Sequence, residues 1–171
     1  MANTFLKAKG YELGDSLVEQ DAVALARQIL ETSGDKLVLP VDVVVADKFA
    51  NDASTATVAV DSIRPGWRAL DIGGQSAINF AKIIAGAKMI VWNGPMGVFE
   101  MSNFASGPTA GAKAVAESGA ISVIGGGDSV AAVEQAGVAD KITHISTGGG
   151  ASLEFLEGKT LPGVAVLPDR V

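Results

Sequence analysis

The chain has 171 residues, a net charge of −6 and no cysteine; 48% of its residues are hydrophobic but only 5% are aromatic. Its length suits one domain with an aliphatic core, and its acidic balance disfavours a nucleic-acid or anionic-membrane partner, since both need a basic surface. The lack of cysteine excludes disulfides, thiolate catalysis and zinc ribbons, and with no bilayer-length apolar stretch and no signal-peptide pattern we expect a soluble, cytoplasmic protein.

Apolar segments alternate with helical patterns along the chain. Residues 1–6 predict a helix with no strand before it, so we expect the sheet to lack its first strand or strands. Residues 15–32 carry apolar side chains at helical spacing, and residues 51–57, rich in Asn, Asp, Ser and Thr, read as a loop. The predicted strands are 41–46, 69–72, 89–92, 121–124, 144–147 and 164–167. The other predicted helices are about 76–85, 109–117, one beginning near 130, and 152–156.

Short apolar strands separated by helices favour parallel βαβ units with helices on both faces. The predicted fold class is therefore α/β, a Rossmann-like three-layer α/β/α arrangement with a mostly parallel sheet. In such sheets ligands bind beyond the carboxyl ends of the strands. We expect four loops to converge there: 73–74, 93–100, 125–129 and 147–150.

The run Gly125-Gly126-Gly127-Asp128-Ser129 is the strongest functional signal, because it lies between an apolar strand and an alanine-rich helix. Glycines let a backbone approach an anion, and a helix beginning there directs N–H groups at it. A carboxylate beside a phosphate favours a bridging divalent cation, since the two negative groups would otherwise repel. The alternative is a tight turn capped by Asp128 or Ser129. The run is neither a Walker A motif nor a G-x-G-x-x-G motif.

Two further loops carry possible chemistry. Asn93 to Glu100 contains two glycines and a proline, which favour a rigid loop; Asn93 can donate and accept, and Glu100 can accept from two sugar hydroxyls. The residues 146–150 offer a glycine run before a helix, able to stabilise a transferring phosphoryl group through backbone N–H groups. Each loop could instead be a structural turn.

The assembled motifs resemble those of the phosphoglycerate kinase family, in order and over the whole chain. The matching segments are Trp92-Asn93-Gly94-Pro95-Met96-Gly97-Val98-Phe99-Glu100, Gly125-Gly126-Gly127-Asp128-Ser129, and Ser146-Thr147-Gly148-Gly149-Gly150-Ala151-Ser152-Leu153-Glu154. Segments near both ends also fit: Met1-Ala2-Asn3-Thr4-Phe5-Leu6, Ala46-Asp47-Lys48-Phe49, Leu156-Glu157-Gly158-Lys159 and Leu161-Pro162-Gly163-Val164.

The resemblance implies that residues 1–171 are a C-terminal nucleotide-binding domain, incomplete at its N-terminal side. It implies Mg²⁺ with ADP or ATP, and it assigns a role to each matched residue. Asp128 would be the magnesium ligand and Glu100 the ribose contact. The implied phosphate contacts are Gly126, Gly127, Ser129 and Asn93, and Gly125 is implied as a further nucleotide-binding residue. The implied adenosine pocket is Leu70, Pro95 and Val98, and the residues implied to hold the transferring phosphoryl group are Gly148, Gly149 and Gly150.

The resemblance also implies what lies outside this chain. Family members have an N-terminal domain with the 3-phosphoglycerate site, and a Gly-Gly-Ala-Lys segment whose lysine binds nucleotide phosphates. In the family, usually monomeric, the two domains transfer a phosphoryl group reversibly between 1,3-bisphosphoglycerate and ADP in glycolysis. We expect negligible turnover from the 171 residues alone. The alternatives are a non-catalytic nucleotide-binding module and a folding or assembly fragment that self-associates through an exposed edge; a Rossmann dehydrogenase is disfavoured.

Overall fold

The structure is a computed structural model and describes residues 1–146 and 148–168. Its contacts divide the chain into two compact units. The first, the antiparallel-sheet unit, comprises Met1–Lys82 and Met96–Gly111. The second, the parallel-sheet unit, comprises Ile83–Pro95 and the described residues from Ala112 onward.

Seven α-helices and six strands are defined in the described residues. The helices are α1 Ala2–Ala8, α2 Val23–Ser33, α3 Gly74–Ala85, α4 Ser106–Glu117, α5 Gly127–Gln135, α6 Gly149–Leu156 and α7 Pro162–Ala165. The strands are β1 Asp42–Ala46, β2 Thr55–Ala59, β3 Arg68–Ile72, β4 Met89–Asn93, β5 Ile121–Gly125 and β6 His144–Ser146. Short 3₁₀ turns occur at Gln20–Ala22, Gly34–Lys36, Ser102–Phe104 and Ala139–Lys141.

The antiparallel-sheet unit is built on three strands in the order β2-β1-β3, and both pairings are antiparallel. Two groups of buried side chains pack in this unit. The first contains Leu6, Leu13, Val43, Val45, Val60 and Ile63, and the second contains Ala46, Ala53, Leu70 and Phe104. The prediction of parallel βαβ units is wrong here: both pairings are antiparallel, and β2 begins within residues 51–57, for which the sequence predicts a loop. The connection 47–54 is too short for a parallel crossover and suits antiparallel neighbours.

The parallel-sheet unit confirms the α/β class and the parallel order. Its strands follow β4-β5-β6, and both pairings are parallel, with helices as the connections. Trp92 on β4 and Ile124 on β5 are buried and pack in one core with Ala112, Val115 and Val133. The carboxyl ends of all three strands therefore lie at one edge of this sheet.

Several predicted elements differ from the structure, most clearly the helix at 15–32 and the strand at 164–167. Helix α2 begins at Val23 rather than near 15. The N–H of Asp15 donates to the carbonyl oxygen of Trp67 instead, and residues 20–22 form a 3₁₀ turn. The predicted strand 164–167 is wrong: helix α7 covers Pro162–Ala165, and Pro162 at its first turn was the signal for a helix. Strand β6 ends at Ser146, and the prediction for Thr147 lies outside the described residues.

Candidate functional site

Three of the predicted loops meet at the carboxyl edge of the parallel sheet. Asn93, the last residue of β4, is in register with Gly125 at the end of β5, and Gly125 is in register with Ser146 of β6. Parallel pairing thus places the loops that follow each strand side by side. The predicted convergence is confirmed for the strand ends from which these three loops begin; residues 96–100 of the first loop belong to the antiparallel-sheet unit.

Asn93 and Gly149 join these loops directly. The Asn93 side-chain amide donates to the carbonyl oxygen of Gly149 over 3.2 Å. A Cβ added to Gly149 would lie 2.6 Å from Cα and 2.9 Å from N of Gly126, so only glycine permits this approach. The glycine runs 125–127 and 148–150 are therefore in backbone contact, with Asn93 beside both.

Helix α5 begins in the first of these runs with no side-chain cap. Gly126 has a φ of +91°, a conformation that favours glycine, and α5 starts at Gly127. Nothing lies within 4 Å of where a Cβ of Gly127 would be. Asp128 is exposed in the first turn, where its negative charge is stabilised by the helix dipole. This arrangement leaves both backbone N–H donors and a carboxylate accessible at one point.

Ser129 differs from its neighbours because its side chain is fully buried. Its hydroxyl oxygen accepts the N–H of Gly94 over 2.6 Å, and the indole N–H of Trp92 donates to the Gly94 carbonyl over 2.7 Å. Gly94 itself has a φ of +92°. In the structure, Ser129 thus holds the turn after β4.

Helix α6 begins in the second glycine run, with Gly148 as its N-cap residue and no side-chain cap on it. The hydroxyl of Ser152 donates back to the Gly148 carbonyl over 3.0 Å, and the N–H of Gly148 donates to the Ser146 hydroxyl over 3.3 Å. No atom lies within 4 Å of where a Cβ of Gly150 would be. A second helix N-terminus at this edge is thus built from glycine.

The residues implied for the adenosine pocket divide between the units. Pro95 is half-buried at the end of a segment of the parallel-sheet unit. Leu70, Val98 and Glu100 belong to the antiparallel-sheet unit, where the N–H of Val98 donates to the Leu70 carbonyl over 2.9 Å. Leu70 is buried and Val98 packs against its cluster, whereas Glu100 is exposed. Leu70 and Val98 are thus brought together.

Two aspartates with structural importance were missed by the sequence analysis. Asp42 accepts the N–H groups of Gln75 and Ser76 at the start of α3, over 3.0 and 2.7 Å. Desolvation by burial acts to raise the pKa of this carboxyl, but its hydrogen bonds with Ser76 and Gln75 together outweigh that effect and lower the pKa. Asp71 is buried, and desolvation raises its pKa to about 6. The sequence signal for a buried Asp71 was that it is the only acidic residue in the otherwise apolar strand 69–72.

The described residues contain no group of three or more His, Cys, Asp or Glu side chains able to hold a metal ion. Asp128 could therefore contribute one carboxylate to a cation, and other ligands would have to come from a bound molecule. None of the helices in the described part of the chain has the length and hydrophobicity to cross a bilayer.

Comparisons with known proteins agree on one family. The family profile described as phosphoglycerate kinase matches residues 1–159. Phosphoglycerate kinases from Roseiflexus castenholzii and Limosilactobacillus fermentum are 57% and 58% identical over 99% of this chain. The solved phosphoglycerate kinase from Coxiella burnetii superimposes with a TM-score of 0.91 at 46% identity, over 96% of this chain, and that from Pyrococcus horikoshii with 0.83 at 38%.

These matches place an α/β protein with glycine-built helix N-termini in a known class: the chain belongs to the phosphoglycerate kinase family. It spans only part of its relatives. The matched region is 44% of the Roseiflexus protein, 42% of the Limosilactobacillus protein and 43% of the Coxiella chain. Less than half of the relatives' length is therefore represented by these 171 residues.

Proposed function

We propose that these residues form the C-terminal, Mg²⁺-nucleotide-binding part of a phosphoglycerate kinase. The complete enzyme would transfer a phosphoryl group reversibly from 1,3-bisphosphoglycerate to ADP, giving 3-phosphoglycerate and ATP in cytoplasmic glycolysis. The acceptor site for 3-phosphoglycerate would lie in an N-terminal domain, in the part of the relatives that this chain does not span. Family membership supports the reaction class, and the parallel-sheet unit supports the nucleotide site.

One observation carries the proposal: the uncapped N-terminus of α5 beside an exposed Asp128. The first N–H groups of a helix have no intrahelical acceptor, and an anion at this position satisfies them while interacting with the helix dipole. Gly127 allows a phosphate to approach because no side chain lies within 4 Å of where its Cβ would be, whereas the side chain of Asn93 lies beside Gly126 at 3.5 Å. Gly125 and Asn93, in register at the strand ends, would border the same phosphates.

Asp128 fits a magnesium ligand in this setting. Mg²⁺ is commonly held by one or two carboxylates together with substrate phosphates, and it keeps several water molecules. When bound, it would supply positive charge that offsets the charge of the phosphates. Asp128 would orient the metal–phosphate group on the N–H groups of α5. Ser129 would reach a phosphate only if binding moved it, since its hydroxyl is buried against Gly94.

The remaining residues receive roles by family resemblance and by position. Gly148, Gly149 and Gly150 form the start of α6, and they would hold the transferring phosphoryl group through backbone N–H groups; the N–H of Gly148 would first have to leave the Ser146 hydroxyl. Leu70, Pro95 and Val98 would contact adenosine, and the exposed carboxylate of Glu100 would accept from the ribose hydroxyls. These residues bind and orient; phosphoryl transfer depends mainly on such positioning and on charge neutralisation.

Calorimetric titration of the chain with Mg-ADP tests the proposal. We expect measurable affinity that Asp128→Asn weakens by about tenfold or more, because a charged ligand group is lost. Asp140→Asn is the matched control, since Asp140 is also exposed in the parallel-sheet unit but lies outside the glycine loops. Equal affinities for the two variants would contradict the assignment of Asp128.

The 171 residues alone should show negligible turnover in a coupled ATP-forming assay. Phosphoryl transfer requires both reactants to be held in line, and the proposed acceptor site belongs to another domain. Near-normal turnover from this polypeptide would contradict the proposal that the nucleotide and 3-phosphoglycerate sites belong to different domains.

Self-association is a second candidate, supported by one feature of the parallel sheet. Met89 and Ile121 are neighbours in register on β4 and β5, and they are 62% and 53% exposed. Parallel sheets are normally covered on both faces, and β4 has one unpaired edge among the described residues. Light scattering decides this point: a dimer that Met89→Lys converts to monomer supports it, and a monomeric parent protein rejects it.

A further inference from the structure

Asp71 is a buried carboxylate without a cationic partner. It lies on β3 and is only 3% exposed. Its Oδ2 accepts the N–H of Gly107 over 2.8 Å, its Oδ1 accepts the N–H of Ile72 over 2.8 Å, and the N–H of Ser106 also bonds to it. Desolvation raises its pKa to about 6 and these N–H groups oppose the rise; no charged side chain of the described residues contributes. Such a group is costly to bury, so its retention calls for an explanation.

Two glycines make room for this carboxylate. A Cβ at Gly97 or at Gly107 would overlap the Asp71 carboxyl group. Neither glycine has a positive φ, so space rather than backbone conformation is what requires glycine here. The backbone of the segment 96–107 is therefore packed against Asp71 at two separate points.

The same segment is fixed to the residue before Asp71. The N–H of Val98 donates to the carbonyl of Leu70 over 2.9 Å, and the fully buried Phe104 packs in the cluster that contains Leu70. Leu70 and Asp71, consecutive on β3, thus contact the segment near its beginning, near its middle and at its end. Val98 makes one of these contacts, and Glu100 lies two residues after it.

We propose that Asp71 is a positioning residue for nucleotide binding: its buried carboxylate fixes the segment 96–107, and so sets the positions of Val98 and Glu100. The part of this proposal that concerns affinity rests on the proposed function. The part that concerns the segment stands on the free protein. Asp42 offers the contrast, because it caps α3, whose residues are not among those assigned to the nucleotide.

The experiment compares Asp71→Asn with Asp42→Asn by NMR and calorimetry. In Asp71→Asn we expect amide hydrogen exchange at Gly107 and Val98 to accelerate about tenfold, and Mg-ADP affinity to fall by a similar factor. Asp42→Asn should leave both within about twofold. In the parent protein, the chemical shift of the Gly107 amide proton should change with pH as Asp71 titrates, with a midpoint near 6. This pH dependence should be absent from Asp71→Asn.

Gly97→Ala provides a second route if Asp71→Asn fails to fold. Its Cβ would displace the segment while the aspartate stays, so it should accelerate the same amides and weaken Mg-ADP binding. Unchanged exchange in the folded variants overturns the positioning role. Accelerated exchange with unchanged affinity overturns the link to the nucleotide. A parent protein that binds no Mg-ADP overturns the proposed function and this link together, and the exchange data then decide the role of Asp71 in the segment.

Discussion

The N-termini of α3 and α4, in the antiparallel-sheet unit, differ from those of α5 and α6, in the parallel-sheet unit. In the antiparallel-sheet unit, α3 begins against the carboxylate of Asp42 and α4 against that of Asp71. In the parallel-sheet unit, α5 and α6 follow glycine N-cap residues that make no side-chain cap. Because the first N–H groups of a helix need an acceptor, Asp42 and Asp71 supply one at α3 and α4, whereas α1 and α2 have no side-chain cap. At α5 and α6 no side chain caps the first N–H groups, which leaves them open to an external anion.

The glycines of the two units show the same contrast. Gly73, Gly97 and Gly107 lie where a Cβ would overlap an aspartate carboxylate of the protein itself. Gly127 and Gly150 have no atom within 4 Å of that position. Gly73, Gly97 and Gly107 thus make room for an internal carboxylate, whereas Gly127 and Gly150, like Gly74 at the start of α3, border space that the rest of the protein leaves open. A glycine run is therefore a sign of ligand binding only where the protein itself does not fill the space.

The largest effect on stability is expected from Gly149→Ala. The new Cβ would overlap the backbone of Gly126, and such overpacking costs about 1–3 kcal/mol of the free energy of unfolding. Gly150→Ala is the matched control in the same helix; it meets no atom and should be neutral or stabilising by up to about 1 kcal/mol. Urea unfolding measures both, and equal stabilities would show that the two glycine loops are not packed together.

Ser129→Ala should destabilise the protein by about 2 kcal/mol. It removes the acceptor of the Gly94 N–H at a fully buried position, and an unsatisfied buried donor is costly. Ser152→Ala, which loses a hydrogen bond at a more exposed position, should cost about 0.5 kcal/mol. If Ser129→Ala were as mild as Ser152→Ala, Ser129 would not hold the turn after β4.

The two capping aspartates should produce opposite pH dependences. The folded pKa of Asp71 lies above its ordinary value of 3.8, so its contribution to stability is fully present below about 3.8 and is lost as pH rises through about 6. The folded pKa of Asp42 is lowered, so its contribution is present above 3.8 and is lost as pH falls further. Unfolding free energies from pH 3 to 7 measure both effects.

Relative to Asp71→Asn, the parent protein should lose on the order of 1–2 kcal/mol between pH 4 and pH 7. Relative to Asp42→Asn, it should instead lose stability on acidification below about pH 4, by a smaller amount because Asp42 is less buried. If the stability of the parent protein relative to each variant changed with pH in the same direction, the pKa values of Asp71 and Asp42 would not be shifted in opposite directions.

The smallest effect on stability, and the most selective effect on binding, is expected from Gly127→Ala. Gly127 is the first residue of α5, and Gly74 occupies the same position in α3; neither would meet an atom with its Cβ. Each alanine should stabilise the protein by about 0.5 kcal/mol, mainly by restricting the unfolded chain. Only Gly127→Ala should weaken Mg-ADP binding. Equal binding by both variants would favour a purely structural turn at 125–129.

Most strands and helices of both units were predicted from sequence, including β1 and β3, but strand β2 and the antiparallel pairing of the first unit were not. Short apolar strands before glycine loops identified β4, β5 and β6, because buried parallel strands are apolar on both faces. Strand β2 was missed because Thr55 and Thr57 made an exposed edge strand look like a loop, although Thr is β-branched and favours strands.

Within the site, sequence spacing and resemblance brought together Asn93 and the two glycine runs, and the geometry of the loops agrees. The burial of Ser129 and the burial of Asp71 could not be predicted in the same way. Both depend on contacts with residues distant in sequence: Gly94 lies 35 positions from Ser129, and Gly107 lies 36 positions from Asp71. Local patterns carry no information about such pairs.

Amide chemical shifts recorded during a Mg-ADP titration test the central claim most directly. We predict that the amides of Gly126, Gly127 and Asp128 shift with increasing ligand, while those of Gln75 and Ser76, already bonded to Asp42, do not. The central claim is that the N-terminus of α5 binds an anion and that of α3 does not. An absence of shifts at 126–128 with millimolar ligand, or equal shifts at the N-termini of α5 and α3, would contradict it.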